Sequence, residues 1–462
     1  MSSLATSPRA LLVPIQTQGH WSPFMQIMRH LMDNKVAMTL CVCQDRADEM
    51  KKYVANGDFE NADIEVVVVF SHPKTYPLSP ESALVSTTEL QTKLAEMKPE
   101  RFSCVISDFL LWGCQVVANE LWIPYYGFIP CAAHFSLAVL NAETLAKGGW
   151  FDNPETDDRP LDAPGLEIFA MKDLNWRAEW KEMFSLRSKQ LRTVTRLIIN
   201  TFEELEQNSL DTMRILLEND GTNGKVPCKI FTIGPVMLFP TLPSFEITVQ
   251  ETGGKYLEWL DKKPKSSVVF ICFGSYAEVG PSAGMAVAKA LESTEVPFLW
   301  ALRLPPETRK EDVLPEGFEA RTQGRGLIVT SWVSQQDVLL HPSIGAFLSH
   351  CGWNSFMESI SAGVPILAHP LFADQHMNAR HMVSTLKVAI EIKHEKEHRN
   401  GEYTWEAVAE GIRTLMVKEE GEHIRHNMLK LQQAALKAVA EGGSSHRSFQ
   451  ELSDDIKQFR QP

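Results

Sequence analysis

The chain of 462 residues is 44% hydrophobic and 22% charged, an ordinary globular composition with length for two or three domains. Its 45 basic and 58 acidic residues give a formal charge of −13, which repels phosphate backbones and excludes general nucleic-acid binding. No window approaches the roughly 18 apolar residues of a membrane span. The start, "MSSLATSPRALLVPIQTQGH", is short in apolar residues and interrupted by Pro14, so the expected location is the cytosol. The 8 cysteines are scattered without a Cys-x-x-Cys pair and read as buried, reduced thiols.

In chain order, "ALLVPI" reads as a first strand, and "PFMQIMRHLMDNK" as a helix from about Pro23 with Phe24, Ile27, Met28 and Leu31 at helical spacing. "AMTLCVC", "DIEVVVVF", "CVISDFL" and "IPYYGF" read as further strands, with "WGCQVVANELW" as a helix before the last. Residues from roughly 140 to 190 read as irregular and rich in Asp, Pro and Trp, a composition suited to substrate loops. The alternation restarts at "SSVVFICFGS" and continues through "PFLWAL", "GLIVTSW", "GAFLSH", "VPILAHP" and "KVAIEIK". Strands alternating with helices predict α/β architecture: two tandem Rossmann-like domains with parallel sheets facing a cleft. The expected division is 1–235 for the first domain, 236–253 for a linker and 254–444 for the second.

Ligands of such sheets bind beyond the carboxyl ends of the strands, so those ends carry the candidate chemistry. After the first strand comes His20, whose ordinary pKa suits a general base. Asp108 ends an apolar strand, where a carboxylate needs a partner. If the two strands are neighbours, Asp108 would orient the His20 ring and stabilise its protonated form; the alternative is that it caps the following helix.

The third end is "SHCGWNS". Gly352 permits a sharp turn into a helix whose first N–H groups suit an anion, with Asn354, Ser355 and His350 adding donors. Together they suit a diphosphate without a metal. Glu358, one turn on, suits a pair of sugar hydroxyls. Trp332 would stack a flat base and Gln335 would read its edge. Asp374 and Gln375 offer acceptors and donors for a hexose. Each residue alone has an ordinary structural role; their co-occurrence carries the reading.

The stretch from Trp332 to Gln375 resembles the signature box of plant family 1 UDP-sugar-dependent glycosyltransferases, the secondary-product glycosyltransferases. The matching positions are Trp332, Gln335, His341, Phe347, "HCGWNS" at 350–355, Glu358, "GVP" at 363–365, Pro370 and "DQ" at 374–375. "TQGHWSP", "SDFLLW", "INTFEELE" at 199–206, "IGP" at 233–235, "FGS" at 273–275 and "LPEGF" at 314–318 extend the resemblance along the chain. It implies a GT-B fold and inverting transfer from a UDP-sugar to a small acceptor. His20 would then be the base and Asp108 its partner. Trp332, with Val333 and Gln335, would hold uracil. Ser275, His350, Gly352, Asn354 and Ser355 would hold the diphosphate, and Glu358 the ribose. Trp353, Asp374 and Gln375 would contact the sugar, a combination that in this family goes with UDP-glucose. The resemblance further implies a flavonoid or other phenolic acceptor, no cofactor or metal, and a monomer. It also implies a last helix, 445–462, returning to the first domain. Carbon–carbon transfer to a phenolic ring is the alternative use of the same site.

The chain departs from the family pattern at three places. Val333-Ser334 replaces Ala-Pro, which would loosen that backbone; Ala389 replaces a common Gly; and bulky Trp21 would narrow the acceptor pocket. A nicotinamide oxidoreductase would need Gly-x-Gly-x-x-Gly after the first strand, which "IQTQGHWSP" lacks, and no P-loop motif occurs.

Overall fold

The computed structural model describes residues 8–55, 63–70, 88–93, 96–97, 101–111, 113–149, 158–176, 180–219, 227–238, 254–274, 279–392 and 403–459. Ser275 and most of the expected linker lie outside them. The first sheet comprises β1 (Arg9–Val13), β2 (Ala37–Cys43), β3 (Ile64–Phe70), β4 (Cys104–Asp108), β5 (Tyr125–Ile129), β6 (Arg196–Ile199) and β7 (Lys229–Thr232). The second comprises β8 (Val268–Cys272), β9 (Phe298–Ala301), β10 (Gly326–Val329), β11 (Ile344–Ser349), β12 (Ile366–Ala368) and β13 (Ala389–Glu391).

All pairings within both sheets are parallel. Helices cover both faces of such sheets, which is why strands such as "VVFIC" and "IGAFLS" are almost wholly apolar. The first sheet runs β3-β2-β1-β4-β5-β6-β7 and the second β10-β9-β8-β11-β12-β13. Each order reverses once, between β1 and β4 and between β8 and β11. Those two reversals create the crevices where ligands bind.

Register aligns the strand ends at each crevice. Val13 pairs with Ser107, and Ser349 with Cys272. One apolar cluster runs from Leu11 and Val105 of the first sheet to Phe270 and Phe347 of the second. The last helix, Ser444–Gln458, packs Phe449, Leu452 and Ile456 into the core of the first sheet. Its Asp455 accepts hydrogen bonds from Tyr126 Oη at 2.6 Å and Arg196 Nε at 2.5 Å.

Several elements differ from expectation. Strands β6 and β7, "RLII" and "KIFT", are not among the expected strands. Residues 140–190 hold the helices Ala142–Lys147, Met171–Leu174 and Lys181–Leu191, so they are less irregular than their composition suggests. The 8 cysteines are all free, five of them buried. No described helix is long and apolar enough to cross a membrane.

Candidate active site

The helix after β1 spans Gln18–Asp33, starting earlier than Pro23 suggested. His20 therefore lies in its first turn, its N–H bonded to the Thr17 carbonyl at 3.0 Å. A proline inside a helix cannot donate to the carbonyl four residues back, which here is Gly19. That carbonyl instead accepts from the Asn354 side-chain amide of the second sheet's crevice, at 2.5 Å. The helix tolerates Pro23 because a residue from the other half replaces the missing donor.

Because β4 lies beside β1, its last residue reaches the helix start. His20 Nδ1 meets Asp108 Oδ2 at 2.5 Å, and Asp108 is wholly buried. The other carboxylate oxygen accepts the Leu110 N–H at 3.0 Å. Asp108 does not cap the following helix, which starts only at Gly113; its second oxygen closes the turn at Leu110 instead. Burial pulls the His20 pKa down, but the Asp108 charge and hydrogen bond, with help from Asp374, outweigh it and leave it raised.

At the second reversal, His350 follows β11 and its ring lies in a slot between two glycines. A Cβ on Gly274 would fall 2.7 Å from the ring, and one on Gly352 would fall 2.4 Å from Nε2. Gly274 also has φ +81, so side chains are doubly disfavoured there. Burial pushes the His350 pKa down to about 4, leaving the ring neutral. Its Nδ1 is buried without a partner among the described residues.

Helix Trp353–Ala362 starts beside this ring, and its first helical hydrogen bond runs from Phe356 N to the Gly352 carbonyl at 3.0 Å. The N–H groups of Trp353, Asn354 and Ser355 precede that bond and have no intrahelical acceptor. With the helix dipole, they suit an anion.

Gln335 draws the neighbouring groups together. Its Nε2 donates to Ser355 Oγ at 2.9 Å and to Glu358 Oε2 at 2.5 Å. Trp332, on the loop after β10, is 48% exposed, while Val333 is buried. An indole so exposed beside a polar cluster is shaped as a stacking platform. The backbone here is not loosened by the absence of proline. Ser334 Oγ caps helix Gln335–Leu340 by accepting the Asp337 N–H at 3.3 Å, and Ser334 N donates to Tyr256 Oη at 3.3 Å, which proline could not do.

The remaining candidates line the seam. Asp374 precedes helix Gln375–Arg380 and accepts from Asn378 Nδ2 at 2.9 Å. Burial raises the Asp374 pKa, which Asn378, His134 and His20 partly offset. Gln375 Oε1 accepts the Leu371 and Phe372 N–H groups at 2.8 and 3.0 Å, so its carbonyl end is fixed. The Trp353 indole N–H donates to the Asn200 carbonyl at 2.7 Å, tying the second half to the first.

Sequence reasoning missed His134, Asn200, Glu206 and Asn378. Asn200 and Glu206 lie in the singled-out "INTFEELE", but the contacts of Asn200 with Trp353 and of Glu206 with His134 gave no local signal; His134 gave none at all. The arrangement joins a histidine paired with a buried carboxylate at one crevice to a helix start that suits an anion, an exposed indole and carboxylates at the other. Its chemistry suits deprotonation of a hydroxyl beside an anionic group.

Residues 251–419 match the family model described as UDP-glucoronosyl and UDP-glucosyl transferase. The chain is 32% identical to UDP-glycosyltransferase 88B1 of Stevia rebaudiana over 84% of this chain and 85% of that one. It is 30% identical to flavonol 3-O-glucosyltransferase F3GT2 of Actinidia chinensis var. chinensis, over 80% and 77% of the respective chains. The crystal structure of Medicago truncatula UGT71G1 complexed with UDP-glucose superposes with a TM-score of 0.83 at 26% identity, covering 99% of this chain and 100% of that one. With two parallel-sheet α/β domains of GT-B type and these relatives, the chain belongs to the plant family 1 UDP-glycosyltransferases and is a UDP-glycosyltransferase.

Proposed function

We propose that this enzyme transfers glucose from UDP-glucose to a hydroxyl of a flavonoid or other phenolic, with His20 as the general base. One observation carries this reading: the His20–Asp108 pair lies one residue from the Gly19 carbonyl that Asn354 holds against the anion-binding helix start. Asp108 takes the Nδ1 side of the ring, so Nε2 is the nitrogen that receives the acceptor proton. As that proton moves to Nε2, the acceptor oxygen forms its bond to the anomeric carbon. The bond from that carbon to the diphosphate breaks on the opposite face, and its electron pair leaves with UDP. An α-linked donor thus gives a β-linked product.

Charge on the leaving diphosphate is met by the N–H groups of Trp353, Asn354 and Ser355 and by neutral His350. In this reading Trp332, Val333 and Gln335 hold uracil, Glu358 the ribose, and Trp353, Asp374 and Gln375 the sugar. Ser275 is expected to add a diphosphate contact. The enzyme acts as a cytosolic monomer and needs no metal or cofactor.

The test is a mass-spectrometric screen of UDP-glucose with pooled phenolics in the presence of EDTA, beside His20→Ala. A hexosyl mass gain in the wild type alone, with UDP still bound by His20→Ala in a titration, is expected. An acid-labile product would report an oxygen linkage, and an acid-stable one a carbon linkage. Transfer by His20→Ala, or its failure to bind UDP, would overturn the assignment of the base.

A further inference from the structure

His134 lies on helix Ala133–Leu140 of the first half and is buried, yet it carries two strong polar contacts. Its Nδ1 meets Glu206 Oε1 at 2.7 Å and its Nε2 meets Asn378 Oδ1 at 3.0 Å. The orientation of Asn378 follows from its own partners. Its Nδ2 donates to the Cys351 carbonyl at 3.0 Å and to Asp374 Oδ2 at 2.9 Å, so Oδ1 must face His134. That oxygen is an acceptor, so Nε2 carries a hydrogen.

The Glu206 carboxylate also accepts the Ala133 and His134 backbone N–H groups, at 2.8 and 2.9 Å, and is held down to about 2. Burial alone would raise that pKa; His134 and the backbone donor reverse it. The His134 ring thus bridges Glu206 Oε1 and Asn378 Oδ1. The neighbouring His381, with its ring centroid 5.1 Å away, is pushed down to about 4 by burial and by His134, so it stays neutral.

These bonds form a continuous chain linking Glu206, His134, Asn378 and Asp374. We propose that His134 is a positioning residue for the donor sugar, holding the Asn378 amide so that it orients the Asp374 carboxylate. This rests on the reading that Asp374 contacts the sugar. Without His134, Asn378 Oδ1 is buried and unsatisfied, and the amide can turn its donors away from Asp374. The Asp374 carboxylate then loses its donor and the compensation that His134 gives against burial. The groups read as uracil and ribose contacts, Trp332, Gln335 and Glu358, make none of the bonds of this chain. The helix start read as the diphosphate site touches it, through the Cys351 carbonyl that Asn378 also holds and through Trp353, whose ring lies 5.7 Å from that of His134. Loss of His134 leaves the Asn378–Cys351 bond possible and should therefore weaken sugar recognition more than UDP recognition.

The test compares His134→Ala, His134→Gln, Asn378→Ala and Asp374→Asn in the full chain. It measures KM for UDP-glucose, KM for the acceptor, Kd for UDP alone by calorimetry, and Tm. His134→Ala and Asn378→Ala are expected to raise KM for UDP-glucose about tenfold with Kd for UDP within about twofold, as expected from loss of one charge-assisted contact. His134→Gln, whose amide can still donate to Asn378 Oδ1, should recover most of that loss. A folded His134→Ala with unchanged KM for UDP-glucose, or with UDP affinity falling in parallel, would reduce His134 to a structural latch. Should His134→Ala fail to fold, unchanged KM in Asn378→Ala gives the same refutation. Unchanged KM in Asp374→Asn would instead remove the underlying reading of Asp374. A raised KM there alone would refute only the relay.

Discussion

Replacing Asp108 by Asn tests the base assignment at its most constrained point. The two carboxylate oxygens have different duties: Oδ2 receives His20 Nδ1 and Oδ1 receives the Leu110 N–H. An amide cannot do both. With its oxygen kept at Leu110, its NH2 faces Nδ1, which must then accept. The proton moves to Nε2, and the ring can no longer take one from the acceptor. Flipped, the NH2 meets the Leu110 N–H, and a buried donor faces a donor.

The lost charge adds to this. Two unit charges roughly 4 Å apart at an effective dielectric of about 20 interact by about 4 kcal/mol. The His20 side chain is 15% exposed and an amide keeps part of the dipole, so a smaller loss applies. About 3 kcal/mol corresponds to roughly two orders of magnitude in kcat. The pH profile gives an independent readout. A base works when unprotonated, so kcat/KM rises with pH through the His20 pKa. Burial lowers that pKa, but Asp108 and Asp374 raise it further, placing the wild-type acid limb above about 6.5. Asp108→Asn removes the main raising influence and should shift the residual limb downward. Steady-state kinetics from pH 5 to 9 with UDP titration check both. A kcat within threefold of wild type, or an unmoved limb, would refute the pairing as the source of base strength.

Trp332→Ala should weaken UDP about 10- to 100-fold, since base stacking contributes about 1–3 kcal/mol. Its ring is 48% exposed, so Tm should hold, and unchanged UDP affinity in calorimetry would end the platform reading. Gln375→His replaces an amide whose carbonyl is fixed by Leu371 and Phe372. The ratio of kcat/KM for UDP-glucose to that for UDP-galactose should fall about tenfold, and a constant ratio would count against the sugar contact.

The parts of this fold that were legible in the sequence are those set by local chemistry. Runs such as "VVFIC" and "AMTLCVC" announce strands buried on both faces, and Gly363 with φ +70 marks a helix end. Strand order is not local. Nothing in "ALLVPI" or "CVISDFL" states that they are neighbours, so the His20–Asp108 contact awaited the sheet order. "RLII" and "KIFT", each opening on a basic residue, are not among the expected strands, although "PFLWAL", with a strand no longer than theirs, is. Pro23 misled because the donor that relieves its helix is 335 residues away in the chain. The bond from the Trp353 indole N–H to Asn200 across the seam likewise left no local trace. Ser334 shows the converse: a departure from the family pattern that local capping chemistry could have explained from sequence.

The seam contacts have a common consequence. Asn354 and Trp353 belong to the helix start that suits the diphosphate, and both donate to backbone carbonyls of the first half, at Gly19 and Asn200. Asn378, which holds Asp374, takes its third contact from His134 of the first half. Arg380 of the same helix pairs with Asp173 at 3.0 Å. The residues that would grip the donor therefore also join the two halves. Gly19 precedes His20 in sequence, so the Asn354 contact ties the helix turn that carries His20 to the start of helix Trp353–Ala362. In the proposed mechanism, a substitution at Asn354 or Trp353 would change donor binding and the placement of the base together. Its kinetic effect cannot be read as a lost phosphate contact alone. His20 and Trp332 act on one side of the seam each, and their variants divide base from donor where those two positions cannot.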